Sequence, residues 1–331
     1  MSTKLLSQEE IKGLIGIKEI VEICDKTFQG LGDGTVINPT KVLLDLGETA
    51  EYPPYGGFMN AMPAYIGWAD MAGIKWAGGN VKERKRLGLP YITSMILLME
   101  PKVGNFVAAM DGEYITTMRT GAQTAVALKH MLKGKKSIKL GLYGAGGQGH
   151  SQTLAISQVF EIEEVRVYDV FPAAAEKYKA DMKDVVKGDI IVCADPKDAC
   201  EGDAIVCVTQ SKEPIVKNEW VKPGTIVFPM GSYQEADDAF LLNCDKIVVD
   251  HIGQCLHRGC LGKLGVEGKI TEKDIYATIG EVACGKKDVG DVSKQRITCV
   301  PIGTGAMDIA VASVVYKRAV EKNIGGEYKF V

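Results

Sequence analysis

Short apolar runs alternate with longer segments of mixed polarity through the middle of the chain. Runs of strand length occupy residues 138–143, 165–168, 189–193, 204–208, 225–228 and 246–249. Because the segments between them are compatible with helices, the alternation predicts repeated strand–helix–strand units. Such units form a mostly parallel, doubly wound sheet with helices on both faces. The predicted fold class is therefore α/β with a Rossmann-type sheet, joined to a second, α+β domain.

The first third of the chain predicts helices before and after a sheet. Ser7 and Glu10 have the spacing of a helix capping box, and an amphipathic segment over residues 17–31 ends among glycines. Between residues 36 and 115, short β-rich runs are broken by Gly and Pro, which is typical of an antiparallel meander. A helix is expected over residues 120–132.

One further long helix is predicted over residues 306–321, after Pro301. Its position suggests that it returns to the first domain, which makes that domain discontinuous. We therefore expect a substrate-binding and dimerisation domain of residues 1–122 and 303–331, and a nucleotide-binding domain of residues 123–302.

The composition of the chain argues against nucleic acid and membranes as binding partners. Charged residues make up 24% of the 331 residues and the net charge is −3, so no electrostatic footprint for nucleic acid or an anionic membrane is present. The longest apolar run, residues 92–99, is too short to span a bilayer, and the first residues lack the apolar core of a signal peptide. Nine cysteines without regular spacing are typical of a reducing cytoplasm. We expect a cytoplasmic protein with a small-molecule substrate.

One group of residues invites a metal interpretation. His251, Cys255, His257 and Cys260 lie within ten residues of one another. Structural zinc sites usually take two separated pairs of ligands, and no second pair follows here. We expect no metal site, and interpret the segment as a loop with buried thiols.

The turn after the first strand of the parallel sheet carries the clearest chemistry. Gly144, Gly146 and Gly149 form a G-x-G-x-x-G pattern between a strand and a predicted helix, and Asp169 follows twenty residues after Gly149. These glycines permit a tight turn, a close approach of a pyrophosphate, and close helix–strand packing. A carboxylate at this distance accepts the ribose hydroxyls and repels a 2′-phosphate. The pattern therefore predicts NAD(H) as the cofactor.

Three segments outside this turn contain candidate chemistry. Lys75 follows a short apolar stretch among glycines, Arg119 stands at the predicted start of a helix, and a glycine turn over residues 301–305 opens the last helix. An arginine at a helix start is suited to bidentate binding of a carboxylate, and a lysine in a partly dry pocket can exchange a proton. The alternatives are an Arg119 that caps a neighbouring element and an exposed Lys75.

These segments together resemble the ornithine cyclodeaminase/μ-crystallin family, over nearly the whole chain. The matching motifs are Met62-Pro63-Ala64, Gly73-x-Lys75, Gly88-Leu89-Pro90, Thr116-x-x-Arg119-Thr120-x-Ala122, Gly144-Ala145-Gly146-x-Gln148, Val206-x-x-Thr209 and Gly303-x-Gly305-Ala306-x-Asp308. The resemblance implies a homodimer and hydride transfer between a nicotinamide and the α-carbon of an amino or imino acid.

The resemblance also implies roles for individual residues. Lys41, Lys75 and Arg119 match residues that bind the substrate carboxylate, and Lys75 is the best-placed candidate base. The residues assigned to the cofactor are Arg119, Thr120, Gly144, Ala145, Gly146, Gly147, Gln148, Gly149, Asp169, Thr209 and Gly303.

Two departures from the family pattern bear on the reaction. Tyr233 stands where cyclodeaminases carry a proposed acid/base aspartate, and Lys41 replaces an arginine that also grips the carboxylate. Glu235 or Asp237 could supply the missing acid only if the loop shifts register. We therefore expect an amino-acid dehydrogenase or cyclic imine reductase. Ornithine cyclodeamination is the first alternative, and a crystallin-like protein that binds NAD(P)H without turnover is the second.

Overall fold

The computed structural model describes residues 2–330, apart from the side chains of residues 81 and 82. The chain divides into two compact units, and each is described by itself. Unit 1 consists of Met1–Arg119 and Thr304–Val331, and unit 2 consists of Thr120–Gly303. Among the described helices, none combines the length and the apolar composition needed to cross a membrane.

Unit 1 is built on a mixed sheet. Its strands are β1 (Thr3–Leu6), β2 (Val36–Ile37), β3 (Val42–Leu46), β4 (Gly57–Ile66), β5 (Met71–Asn80), β6 (Ile92–Glu100), β7 (Asn105–Asp111) and β16 (Gly326–Tyr328). The sheet order is β16-β1-β7-β6-β5-β4-β2, and β3 also pairs with β4. Strands β3 to β7 pair antiparallel in succession, which confirms the predicted meander.

Unit 1 also contains α-helical segments. They are α1 (Gln8–Lys12), α2 (Ile17–Asp33), α3 (Val81–Arg86), the first part of α4 (Glu113–Met131) and α11 (Gly305–Glu321). The capping box of Ser7 and Glu10 forms as predicted, and α2 ends at Gly34, which takes the left-handed conformation (φ 89°) that favours glycine. Helix α11 packs against α2 and against β4, β5 and β6, because most of its residues are apolar and buried.

Unit 2 is the Rossmann-type fold that the sequence predicts. Its strands are β8 (Ser137–Tyr143), β9 (Glu161–Tyr168), β10 (Asp189–Val192), β11 (Ala204–Cys207), β12 (Thr225–Pro229), β13 (Lys246–Val249), β14 (Ile275–Thr278) and β15 (Arg296–Val300). All pair in parallel in the order β10-β9-β8-β11-β12-β15-β13-β14. The chain order reverses at β8, and ligands of open α/β sheets bind at such switch points.

The helices of unit 2 differ in length along the chain. They are the second part of α4, α5 (Gly147–Ile156), α6 (Pro172–Met182), α7 (Asp238–Asn243), α8 (Ile252–Cys255), α9 (Gly262–Val266) and α10 (Ile279–Ala283). Strands β14 and β15 were not predicted, because the helices before them have only four or five residues and show no helical period.

The predicted start of α4 is wrong. The helix begins at Glu113, whose N–H donates to the carboxylate of Asp111 at 3.0 Å, and not near Thr120. The β-branched run Ile115-Thr116-Thr117 suggests a strand, but Ile115 is completely buried and packing overrides that weak preference. Arg119 is therefore in the second turn of the helix and not at its start.

Candidate functional site

Two glycines of the turn after β8, Gly144 and Gly149, leave no room for a side chain. Gly144 has φ 98°, and a Cβ added there would lie 2.6 Å from the carbonyl oxygen of Val208. A Cβ at Gly149 would lie 2.3 Å from the carbonyl oxygen of Gly144. Helix α5 therefore approaches the turn closely, as the sequence pattern predicts.

The middle of the turn is open. A Cβ at Gly146 or Gly147 would meet no atom within 4 Å, and both residues are exposed. Gly146 precedes the first residue of α5, so the first N–H groups of the helix and its positive dipole end lie at the same place. This open glycine cradle fits the pyrophosphate of a dinucleotide.

Asp169 lies beside the turn. Its Oδ2 accepts a hydrogen bond from the N–H of Ala145 at 2.8 Å, and its Oδ1 accepts one from the N–H of Phe171 at 2.9 Å. These bonds fix the carboxylate at the end of β9, next to the glycines. A carboxylate offers about four acceptor sites, so it can still accept two ribose hydroxyls.

Thr209, which follows β11, is held by a buried carboxylate. Glu235 is fully buried and accepts hydrogen bonds from the N–H and Oγ1 of Thr209 and from the N–H of Gly231, each at 2.7 Å. Burial raises the pKa of Glu235, and these hydrogen bonds oppose the rise. Glu235 thus joins the loops after β11 and β12.

The other acidic candidate of this segment also has a structural partner. Asp237 caps α7 by accepting from the N–H of Phe240 at 2.8 Å, and accepts from the N–H of Asn218 at 3.1 Å. Tyr233 lies two residues before Glu235 in the chain and is half-buried.

Gly303 is the last of the residues predicted to contact the cofactor. It has φ 93°, and its N–H donates to Oδ2 of the buried Asp250 at 2.7 Å. Thr120 accepts a hydrogen bond at its carbonyl oxygen from Gln152 at 3.3 Å. Asp250 was not predicted as a site residue, although an acid directly after a parallel strand lies at the sheet edge where ligands bind.

The proposed substrate residues Lys75 and Arg119 lie together in unit 1. Lys75 Nζ is 2.6 Å from Oδ2 of Asp308, and Arg119 Nε is 3.0 Å from Oδ1 of the same carboxylate. Lys75 is 1% exposed, Arg119 5% and Asp308 0%. Asp308 was part of a matched motif, but no role was predicted for it. The alternative that Lys75 is an exposed lysine is therefore wrong.

Hydroxyl groups complete this buried cluster. Thr116 Oγ1 lies 3.4 Å from Lys75 Nζ, 3.3 Å from Asp308 Oδ1 and 3.2 Å from the hydroxyl of Ser94. Thr116 is three residues before Arg119 on α4, so both side chains lie on the same helical face.

Burial changes the proton affinity of Lys75. The pKa of Lys75 is lowered to about 7: desolvation lowers it most, the positive charges of Arg119 and Lys41 also lower it, and Asp308 opposes the change. The ammonium and the neutral amine are therefore both populated near neutral pH.

The cysteine- and histidine-containing segment has ordinary partners. Cys255 Sγ donates to Asp250 at 3.4 Å and to the carbonyl oxygen of Val300 at 3.3 Å, and His251 Nδ1 accepts from the N–H of Gln254. Within residues 2–330, no group of His, Cys, Asp and Glu side chains is arranged to hold a metal ion.

Comparison with known proteins identifies the family of this chain. The model of the ornithine cyclodeaminase/mu-crystallin family matches residues 1–323. The chain belongs to this family. An alanine dehydrogenase of Archaeoglobus fulgidus is 34% identical over 334 residues, which cover 100% of this chain and 99% of that protein.

Two solved structures of family members share the fold. An archaeal alanine dehydrogenase dimer with bound NAD has a TM-score of 0.89 and 34% identity, with 100% of each chain covered. The Δ1-pyrroline-2-carboxylate reductase of Thermococcus litoralis, in complex with NADH and L-proline, has a TM-score of 0.89 and 28% identity, with 98% of this chain and 99% of that chain covered.

Proposed function

We propose that this protein is an NAD(H)-dependent oxidoreductase that acts on a small α-amino acid or cyclic imino acid. The observation that carries the proposal is the buried cluster of Lys75, Arg119 and Asp308, in a chain that also holds an open dinucleotide cradle. The names of the alanine dehydrogenase and pyrroline-2-carboxylate reductase relatives support this reaction class.

Arg119 and Lys75, with Lys41, are proposed to bind the substrate carboxylate. A guanidinium has the planar fork that matches a carboxylate, and its position on α4 is fixed by the bond to Asp308 at 3.0 Å. Binding the carboxylate orients the α-carbon, and well-aligned reactants reach effective molarities of about 10⁵ M or more.

Lys75 is proposed to move the proton of the reaction. When bound, NAD supplies the acceptor for the hydride that leaves the α-carbon. The α-ammonium of the substrate must first lose a proton, and the neutral amine of Lys75 can take it. In the reductive direction, the ammonium form of Lys75 returns that proton to nitrogen. Because the pKa of Lys75 is about 7, both forms are available at neutral pH.

Asp169 supports NAD(H) over NADP(H). Its carboxylate is fixed by Ala145 and Phe171, and the following residues, Val170 and Phe171, are 71% and 65% exposed and carry no charge. A 2′-phosphate would meet one negative charge here and no positive partner from these two residues.

Ornithine cyclodeamination remains the alternative reaction. It needs an additional group that deprotonates the attacking amine and later protonates ammonia. Glu235 and Asp237 already accept two or more hydrogen bonds each within unit 2, and a tyrosine such as Tyr233 titrates near pH 10 when unperturbed. These observations favour the dehydrogenase.

A screen for turnover tests the proposal. The protein is incubated with NAD and each proteinogenic amino acid, starting with alanine and proline, and NADH absorbance is followed. Stoichiometric NADH with one of them supports the dehydrogenase. Proline formed from ornithine without net NADH would establish the cyclodeaminase. Tight NADH binding with no turnover of any amino or imino acid would leave only the binding role.

A second copy of the chain is the proposed protein partner. The antiparallel register places Val42, Leu44, Met59, Trp76 and Met95 on one side of the sheet of unit 1, and these side chains are 37–66% exposed. We name these five residues the apolar face. Monomeric proteins rarely expose a contiguous patch of this kind. A homodimer would bury it, and the alanine dehydrogenase structure is a dimer.

A further inference from the structure

The buried cluster of unit 1 has more cations than anions when Lys75 is protonated. In the trio of Lys75, Arg119 and Asp308, the carboxylate of Asp308 lies 2.6 Å from Lys75 and 3.0 Å from Arg119. With neutral Lys75 the charges of Arg119 and Asp308 cancel. With protonated Lys75 the trio carries one positive charge, and an unbalanced charge is costly when it is buried.

Thr116 on α4, Ser94 on β6 and Lys41 before β3 lie near Lys75 and carry no negative charge. On α2, Cys24 lies near Arg119 and Asp308, and the buried Asp25 is its neighbour in the chain. Burial raises the pKa of the Cys24 thiol, which keeps it neutral. Lys41 adds a positive charge in both protonation states of Lys75, so it does not change the difference between them.

We infer that a substrate carboxylate binds to this cluster together with a proton taken up by Lys75, and that Asp308 is the positioning residue that sets the pH range of this coupling. The inference rests on the proposed function, because the carboxylate is that of the amino or imino acid. The bound carboxylate supplies the second negative charge that balances the trio when Lys75 is protonated. By linkage, the proton strengthens carboxylate binding by the same factor.

The size of the effect follows from the distances involved. An opposite charge within about 4–6 Å raises the pKa of an ammonium by about 1–3 units. Starting from a Lys75 pKa of about 7, a rise of about 2 units gives uptake of about 0.8 proton per carboxylate at pH 8 and about 0.1 at pH 6. The carboxylate should therefore bind about tenfold more weakly at pH 8 than at pH 6.

Titration calorimetry measures this uptake directly. The NADH-loaded protein is titrated with pyruvate, without ammonia, in phosphate and in Tris buffer at pH 8. Because the two buffers differ in ionisation enthalpy, the difference in heat gives the protons taken up. The measurement is repeated at pH 6 in two buffers that also differ in ionisation enthalpy. If pyruvate does not bind, the oxo acid of the amino acid that gives NADH fastest in the turnover screen replaces it.

Two variants and one control variant test whether Lys75 is the group that takes up the proton. Lys75→Met should reduce the uptake at pH 8 to near zero, whereas Lys187→Met, at an exposed lysine of unit 2, should leave it unchanged. Asp308→Asn removes the charge that raises the pKa of Lys75, so uptake at pH 6 should rise to more than half a proton. A purely structural role for Asp308 would not move this pH range.

The outcomes separate the inference from the proposed function. Pyruvate that binds with no proton uptake at pH 8 would overturn the inference and leave the dehydrogenase proposal in place. Uptake that persists in Lys75→Met would also overturn it, because another group then takes the proton. If no amino acid is turned over and no oxo acid binds, the proposed function itself fails.

Discussion

Gly146→Ala should weaken cofactor binding without unfolding the protein. The backbone at Gly146 has φ −79° and ψ −167°, which alanine adopts without strain, and the added Cβ would meet no protein atom within 4 Å. The methyl group would instead occupy the open space over the start of α5, where we expect the pyrophosphate.

The expected change in stability is small, whereas the expected change in NADH affinity is large. Ala is a poorer helix N-cap than Gly, but it also restricts the unfolded chain, so the free energy of unfolding should change by less than about 1 kcal/mol. A hydrogen bond to a charged group contributes about 1.5–3 kcal/mol, so displacing the pyrophosphate from one N–H group should raise the Kd of NADH by about 10- to 150-fold.

Fluorescence titration with NADH and thermal unfolding measure both quantities. Gly149→Ala is the matched comparison, because its Cβ would lie 2.3 Å from the carbonyl oxygen of Gly144 and must distort the turn. We expect Gly146→Ala to lose affinity and keep its Tm, and Gly149→Ala to lose stability as well. A Gly146→Ala protein that binds NADH within twofold of the parent would refute the position assigned to the pyrophosphate.

Four further outcomes are expected. Arg119→Lys keeps the charge but loses the planar fork, so kcat/KM should fall at least about tenfold in steady-state assays, and a loss below twofold would contradict its role. NADP(H) should bind at least about tenfold more weakly than NAD(H), about 1.4 kcal/mol, because of Asp169, and equal affinities by calorimetry would argue against this. Trp76→Glu on the apolar face should yield a monomer in light scattering, and a persistent dimer would place the interface elsewhere. Gly121→Ala should lose about 1–3 kcal/mol in urea unfolding, since its Cβ would lie 2.2 Å from a carbonyl oxygen of α5, whereas Gly13→Ala, with no atom nearer than 3.5 Å, should not; equal effects of the two would contradict this reasoning.

The parallel sheet could be predicted from the sequence because its signal is local. Strands buried on both faces appear as continuous apolar runs, and the first six of unit 2 coincide with such runs to within a few residues. Strands β14 and β15 could not be found in this way, since short helices separate them and leave no periodic pattern.

From residue spacing alone, the candidate site was predictable only where its residues are neighbours in sequence. The glycine turn and Asp169 lie within one strand–helix–strand unit, so their spacing alone identifies them. Asp308 is 189 residues from Arg119 along the chain, and its contact with Arg119 exists only after α4 and α11 pack in unit 1. Asp250 was missed for the same reason, because it holds Gly303, which is distant in sequence. Glu235 was named as a candidate acid, but its hydrogen bonds to Thr209 after β11 were not predicted.

The alternation of buried and exposed side chains along β5 indicates a functional role for Lys75 and Trp76. Lys75 points to the buried side of the sheet while its neighbour Trp76 is 48% exposed, which is the reverse of what a strand needs for stability alone. A buried ion pair contributes little to stability and is often improved by apolar replacement, so folding does not explain Lys75. Departures from local rules mark functional positions. A substrate carboxylate accounts for the buried lysine, and a second copy of the chain accounts for the exposed tryptophan.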